Sequence, residues 1–210
     1  MTHLYISRVK LDTNNRNTLR ALYVLERLHG ALESAFPGAR KRRLWRLDRL
    51  NGKLFLLLIS EDKPDLTSFC CQFSAANDDW ETKPYDGLLS RIQNGTRWHF
   101  RLTANPTQAL KSESKGDRGK VKAVTIMDLQ KEWLQKRAEK YGFQLDSFDV
   151  TESKWVQFRK GENRHPVSIL SVSYEGYLTV LDAELFRQTM TTGMGRGKAY
   201  GMGLLTVMHI

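Results

Sequence analysis

The dipeptide Asn51-Gly52 lies between two apolar runs at residues 44–50 and 53–60. Asn-Gly supplies the two positive φ angles of a type I′ turn, whose twist matches that of the strands it joins. The pattern therefore predicts a β-hairpin. Two strands joined this tightly must be antiparallel neighbours in one sheet, which restricts the folds open to the chain.

Patterns on either side of the hairpin predict four more elements. They are a strand at 4–11, a helix at 16–36, then, after the hairpin, a short helix at 65–73 and a strand at 82–86. The predicted order is βαββαβ, the order of a ferredoxin-like domain.

A similar order, with one more strand between the two helices, recurs in the second half of the chain. The predicted elements are a strand at 97–104, a helix at 126–141, strands at 144–150, 155–160 and 167–180, a helix at 182–190 and a strand at 204–210. We therefore predict an α+β protein of two tandem ferredoxin-like domains, residues 1–88 and 97–210, with a linker at 89–96.

The charge of the chain indicates a polyanionic partner. Lysine and arginine number 33 against 23 acidic residues, a formal net charge of +10. Nucleic acid and an acidic membrane surface both fit this excess. No run of about 18 apolar residues predicts a membrane span. The first ten residues alternate like a strand, so we expect no signal peptide and predict a cytoplasmic protein.

Glycines are concentrated near the C-terminal end, where Gly193, Gly195, Gly197, Gly201 and Gly203 surround Arg196 and Lys198. Such a loop can bring backbone N–H groups and two cations close to phosphate. The spacing is wrong for a Walker A loop and for a dinucleotide fingerprint. We predict that Gly193, Gly195, Arg196, Gly197 and Lys198 bind a phosphate-rich partner, which the resemblance described below identifies as RNA; the alternative is a flexible turn before the last strand.

Two further basic clusters are predicted to contact nucleic-acid phosphates, those of RNA by the resemblance described below. One comprises Lys111, Lys115, Arg118, Lys120 and Lys122, and the other comprises Arg159, Lys160 and Arg164 at a predicted hairpin tip. Neutralising several phosphates from such segments gives salt-sensitive affinity. The alternative for each cluster is an ordinary solvated surface.

Among five histidines, His29 has a distinctive position. It shares a helical face with Leu25 and Leu32 and so faces the body of the protein or a groove beside it. One interpretation is a core histidine bonded to a backbone carbonyl. The other is general acid–base catalysis on RNA near neutral pH. Glu26 lies nearby on the helix, whereas Tyr23 points away and is expected to serve helix packing.

Several segments together resemble the CasE type of CRISPR-associated endoribonucleases, from the type I-E Cascade system. They are LYISRV at 4–9, LHGALESAF at 28–36, RLWRL at 43–47, FRLTANPT at 100–107, VTIMDLQKEWLQKRAEKYGF at 124–143 and TTGMGRGKAYGMGLLTV at 191–207. Their order and spacing cover almost the whole chain.

The resemblance implies two ferredoxin-like domains that bind the stem-loop of the CRISPR repeat and cut at its 3′ base. Cleavage in the family needs no metal or other cofactor: the 2′-hydroxyl attacks, leaving a 5′-hydroxyl and a 2′,3′-cyclic phosphate. The guide RNA stays bound, and the other Cascade subunits are the expected partners.

The resemblance also implies roles for individual residues. His29 matches the catalytic histidine of the family. The family's tyrosine three residues earlier is replaced here by Glu26, so Glu26 and Tyr23 are both candidates for catalytic support. The alternative function is a non-catalytic RNA-binding subunit in which His29 is structural.

Overall fold

The computed structural model describes residues 3–36, 41, 43–109, 121–160 and 165–210, with the backbone alone at 159, 160 and 165. The first sheet contains β1 (Tyr5–Leu11), β2 (Leu44–Leu50), β3 (Lys53–Ser60) and β4 (Trp80–Pro84) in the order β2-β3-β1-β4. All pairs are antiparallel. The predicted hairpin is confirmed, with φ of 50° at Asn51 and 74° at Gly52.

The single helix predicted at 16–36 is wrong: two helices occupy this region. They are α1 (Arg16–Tyr23) and α2 (Leu25–Ser34), separated by Val24 at φ −129° and ψ 80°. A straight helix of 21 residues would run about 32 Å, whereas β1 spans only about 23 Å. The break lets both segments cover one small sheet. The next helix of this domain, α3 (Thr67–Phe73), begins two residues after the start predicted for it.

The second domain repeats the topology. Its sheet has the order β10-β5-β9-β8, formed by β5 (Arg97–Ala104), β8 (Phe143–Lys160), β9 (His165–Val180) and β10 (Leu205–Met208). Its helices are α5 (Met127–Ala138), extended by a 3-10 turn to Gly142, and α6 (Ala183–Thr192). Both sheets thus have the ferredoxin-like strand order, and the predicted fold class is confirmed.

The structure adds elements that the sequence patterns do not predict. A short helix, α4 (Asp86–Leu89), follows the first sheet, and a small ribbon of β6 (Thr107–Ala109) and β7 (Val121–Ala123) follows β5. The strands predicted at 144–150 and 155–160 are one continuous strand, β8. The ladder of β8 with β9 continues through the polar residues 151–154 that separate the two predicted strands. It contains two register shifts, at Leu145/Ser147 and Val150/Glu152.

The connection between the domains is packed. Tyr85, Leu89 and Ile92 are buried in the core of the second domain. The boundaries at residues 88 and 97 remain a prediction. Within the described ranges, no helix combines the length and apolar character that crossing a membrane requires.

A fully bonded arginine joins the two domains. Arg46 on β2 is 1% exposed. Its Nε and Nη2 donate to Asp48 at 2.9 and 2.7 Å, Nη1 donates to the carbonyls of Arg101 and Leu204 at 2.8 and 2.9 Å, and Nη2 also donates to Thr206 Oγ1 at 2.8 Å. All five guanidinium N–H groups are therefore used, three of them by the second domain.

The apolar cores also cross the domain boundary. Leu44 and Ile59 of the first sheet are buried in the second domain's core. In the opposite direction, Val156 and Tyr200 of the second domain pack against the first domain's core. The two sheets therefore form one continuous packed body.

The glycine-rich loop is fitted tightly against this boundary. All five of its glycines have positive φ. A Cβ on Gly201 would lie 2.7 Å from the Trp45 ring, and one on Gly193 would lie 2.8 Å from the Leu44 side chain. Leu44 and Trp45 belong to β2, so the glycines allow a loop of the second domain to lie directly on the first.

Replacing Arg46 tests its role in the domain boundary. Arg46→Ala is expected to lower the free energy of unfolding by about 3–5 kcal/mol, because Asp48 would stay buried with only a longer contact to Arg101. Arg49→Ala removes the same charge from an exposed position of the same strand and should change stability by less than about 0.5 kcal/mol. Denaturant unfolding measures both; equal losses would contradict the assigned role.

Alanine at Gly201 tests the close approach of the loop. Gly201→Ala should destabilise the protein more than Gly95→Ala. Both positions have positive φ, 76° and 79°, but a Cβ at Gly95 meets nothing within 4 Å. The backbone cost of roughly 1–2 kcal/mol is common to both, so the difference in unfolding free energy reports the clash with Trp45. No difference would mean that the loop is not packed as described.

Candidate functional site

The helix that carries His29 meets the glycine-rich loop of the other domain. The loop contains a 3-10 turn, Lys198–Tyr200, and this turn contacts α2. Tyr200 packs against the first domain's core, while Gly201 lies against Trp45. The structure thus brings together two regions that are about 170 residues apart in sequence, and this junction is the candidate site.

His29 is half-buried on α2. The buried residues of this helix are Leu25, Leu28 and Leu32, which form its core-facing stripe. His29 lies at the edge of that stripe, a position that holds an imidazole in place while leaving part of it accessible. The half-buried position is compatible with both interpretations of His29, a core histidine and a catalytic one, so its catalytic role remains a prediction.

The two predicted supporting residues occupy different settings. Glu26 is half-buried in the first turn of α2, where a carboxylate is favoured by the helix dipole. Tyr23 ends α1, so the break at Val24 separates it from the helix of His29, and it is 81% exposed. The expectation that Tyr23 serves helix packing is wrong, because the break frees its side chain from any helical interface.

The glycine amides of the loop are largely used within the protein. The N–H groups of Gly193, Gly201 and Gly203 donate to the carbonyls of Thr189, Lys198 and Thr103. Gly193 is also buried at the end of α6. Gly193 therefore has a structural task, and phosphate binding by loop amides stays a prediction that rests on Gly195 and Gly197.

The two cations of the loop differ in their surroundings. Lys198 is half-buried, and its Nζ donates to the Thr192 carbonyl at 2.7 Å. This contact satisfies a carbonyl at the C-terminal end of α6, where a positive charge is favoured. Arg196 is exposed and forms a backbone bridge with Asn105. Arg196 is thus the loop cation whose charge faces solvent.

Most of the other predicted RNA contacts lie outside the described residues. These are Lys111, Lys115, Arg118, Lys120 and Arg164, together with the side chains of Arg159 and Lys160, whose backbone ends β8. Lys122 is described and exposed on β7. All of these assignments remain predictions.

Two groups near the site were not predicted from the sequence. Phe158 near the end of β8 contacts Tyr200 with ring centroids 4.6 Å apart, so the long hairpin is connected to the loop. Arg20 and Arg27 line a surface depression beside Tyr23. The sequence held a signal for this basic surface. Arg16 and Arg20 form an i, i+4 pair of like charges, with no acid in the first turn of α1, and such a pair destabilises an isolated helix.

A cleft of about 490 Å³ between the two sheets is the main competing site. Three of its four cations are balanced locally: Lys154 pairs with Glu152 at 2.9 Å, and Arg46 and Arg101 both lie near Asp48. The cleft walls do not include His29. Its paired charges make it a weaker candidate for acid–base chemistry than the junction of α2 with the loop.

Metal ligation has no obvious location in the described part of the chain. No group of three His, Cys, Asp or Glu side chains is close enough together there to hold an ion. The chemical groups at the junction are an imidazole, a carboxylate, an exposed guanidinium and glycine backbone. Such a set suits proton transfer and anion contact.

Comparison with known proteins places the chain among characterised relatives. CRISPR-associated endoribonuclease Cse3 of Thermus thermophilus is 29% identical over 222 aligned positions, covering 97% of this chain and 99% of that protein. The Cascade subunit CasE of Escherichia coli K12 is 28% identical over 123 positions, covering 56% and 60%. Thermus thermophilus Cse3 bound to an RNA representing a pre-cleavage complex superimposes with a TM-score of 0.81 at 25% identity, covering 98% and 99% of the two chains.

The match extends to a family model. A model described as CRISPR associated protein covers residues 4–209, which is almost the entire chain. The chain therefore belongs to the CRISPR-associated protein family, as a protein of the CasE/Cse3 type.

Proposed function

We propose that this chain is a metal-independent endoribonuclease that matures CRISPR RNA. It binds the repeat stem-loop in the precursor and cuts at the 3′ base of the stem. The substrate's own 2′-hydroxyl attacks, giving a 5′-hydroxyl and a 2′,3′-cyclic phosphate. The guide then stays bound with the other Cascade subunits in the cytoplasm.

The observation that carries the proposal is the junction of α2 with the glycine-rich loop. It places the helix of His29 against the segment that holds Arg196. RNA cleavage by this route requires a proton acceptor or donor beside a site that tolerates phosphate. An accessible imidazole next to a loop with a solvent-facing guanidinium meets both needs. The net charge of +10 favours RNA over neutral substrates.

The role of His29 follows from the reaction. As a neutral base it takes the proton of the 2′-hydroxyl; as an acid it protonates the leaving 5′-oxygen. Each role requires only that the imidazole reach the scissile phosphate. Arg196 supplies charge to the phosphate oxygens, and Lys198 keeps the loop folded through Thr192.

One observation favours a second candidate function. The residue three positions before His29 is Glu26, a carboxylate beside a site proposed to hold an RNA phosphate. Its negative charge opposes RNA binding close to it. A non-catalytic RNA-binding subunit, with His29 structural, would tolerate this carboxylate more easily than an active nuclease.

Replacing His29 separates the two functions. We expect His29→Ala to reduce cleavage of the host repeat stem-loop by roughly 10²- to 10⁴-fold, the usual contribution of a general acid or base. Binding of the same RNA should be retained. Cleavage by the unmodified protein should be unchanged in excess chelator. Gel analysis of end-labelled RNA, with assay of the cyclic phosphate end, measures each point.

His99→Ala is the matched control, since His99 is also half-buried but lies on β5 beside Glu175. It should cut at the normal rate. Equal cleavage by the His29 and His99 variants would make His29 structural. Binding without cleavage by every variant, the unmodified protein included, would leave the second candidate function.

Arg196 is expected to act through charge alone. Arg196→Ala should weaken binding of repeat RNA at low salt and reduce the slope of log affinity against log salt by about 1. Lys63→Ala removes one exposed charge from the loop between β3 and α3 and should leave the slope unchanged. Fluorescence anisotropy across a salt series measures the slopes; parallel slopes for both variants and the unmodified protein would exclude a phosphate contact at Arg196.

A further inference from the structure

Tyr23 has an unusual setting for a tyrosine. It ends α1 and is 81% exposed, the most exposed of the large apolar side chains described. Tyrosine usually buries its ring and bonds its hydroxyl at the edge of a core. Within the described part of the chain, neither packing nor a side-chain hydrogen bond explains an aromatic ring at this position.

The ring borders a shallow depression in the surface. Leu19, Arg20, Tyr23, Val24 and Arg27 line a space of about 310 Å³. The depression lies where the chain leaves helical geometry at Val24, between the end of α1 and the start of α2. Leu19, itself 47% exposed, adds to its apolar floor. We call these five residues the Tyr23 shelf.

Two guanidinium groups flank the apolar floor. Arg20 and Arg27 are exposed, and within the described residues neither forms an ion pair with a carboxylate. Arg20 lies in the last turn of α1, where the helix dipole favours a cation. That explanation does not extend to Arg27, which lies in the first turn of α2, where the dipole opposes a positive charge.

The combination matches one class of ligand. An exposed aromatic face with arginines at its rim is the arrangement that binds unpaired nucleotides, by stacking of the base and charge contact to its phosphates. A protein partner would favour the apolar residues but would gain less from two uncompensated guanidinium groups. The charges therefore favour RNA.

The shelf is close to the proposed cleavage site. One helical turn from Leu25 to His29 spans about 6 Å, and the two residues from Tyr23 to Leu25 span at most about 7 Å. The Cα atoms of Tyr23 and His29 thus lie within roughly 13 Å. Arg27 and His29 are two residues apart on α2, and at about 100° per residue they lie on opposite sides of that helix. An RNA chain at His29 therefore reaches the shelf by passing around α2, a path open to a single-stranded flank but not to the paired stem.

We propose that the Tyr23 shelf binds an unpaired nucleotide of the RNA that flanks the repeat stem-loop, with the base stacked on Tyr23 and phosphates near Arg20 and Arg27. This assignment rests on the proposed function. It gives Tyr23 a role in substrate binding in place of catalytic support.

The test compares two RNAs, the repeat stem-loop alone and the same stem-loop with its single-stranded flanks. Full-length Tyr23→Ala should bind the flanked RNA roughly 5- to 150-fold more weakly, the usual effect of losing one base stack. It should bind the bare stem-loop normally. Tyr23→Phe keeps the ring and should bind both RNAs like the unmodified protein. Tyr177→Ala, which removes an exposed ring from β9, is the matched control and should change neither affinity.

The outcomes are distinct. An equal loss of affinity for both RNAs in Tyr23→Ala would overturn the assignment of a flanking nucleotide to the Tyr23 shelf, because the contact would not depend on the flank. Unchanged binding of both RNAs by Tyr23→Ala would also overturn it and leave this surface to a protein subunit. If the unmodified protein binds neither RNA, the proposed function is contradicted, and the nucleotide site at the Tyr23 shelf with it. If the unmodified protein binds the bare stem-loop, RNA binding holds, and the result with the flanked RNA then tests the nucleotide site alone.

Discussion

The guanidinium group of Arg46 connects the two halves of this molecule. Its bonds to Asp48 neutralise the buried charge within β2, and its bonds to Arg101, Leu204 and Thr206 fix β5 and β10 against the open face of the first sheet. A buried ion pair is not stabilising by itself, because desolvation offsets its attraction. Here every donor has an acceptor, so the group specifies one relative placement of the sheets. Burial also raises the pKa of the neighbouring Tyr85 phenol, with Arg46 acting in the opposite direction.

The candidate site depends on this relative placement of the two sheets. Neither domain holds it alone, since α2 belongs to the first and the glycine-rich loop to the second. The positive φ angles and missing Cβ atoms of Gly193 and Gly201 let the loop lie against Leu44 and Trp45, two residues and one residue before Arg46. The same few residues of β2 therefore anchor both the domain boundary and the loop beside His29.

The charges near the site divide into two kinds. Those of Arg46 and Lys198 are bonded inside the protein and serve its folding. Those of Arg20, Arg27 and Arg196 face solvent, where they attract polyanions. In the proposed function these exposed cations are available to RNA phosphates. In the proposed nucleotide site the ring of Tyr23 adds a stacking surface beside Arg20 and Arg27, which favours nucleic acid over a membrane surface or free phosphate.

The sequence by itself determined the ferredoxin-like order of strands and helices, the hairpin at Asn51-Gly52, the basic surplus and the position of His29 on a half-buried helical edge. These features are local, because periodicity and turn chemistry act over a few residues. It did not reveal the break at Val24, the continuity of β8 or the use of Arg46 and Lys198 inside the protein. Only the tertiary structure decided those, since they depend on the length of the facing sheet, the presence of β9 as a partner and acceptors up to 160 residues away. The charge of a side chain can be read from the sequence. The fold decides whether that side chain bonds to the protein or is available to a ligand, because the fold determines which groups lie beside it.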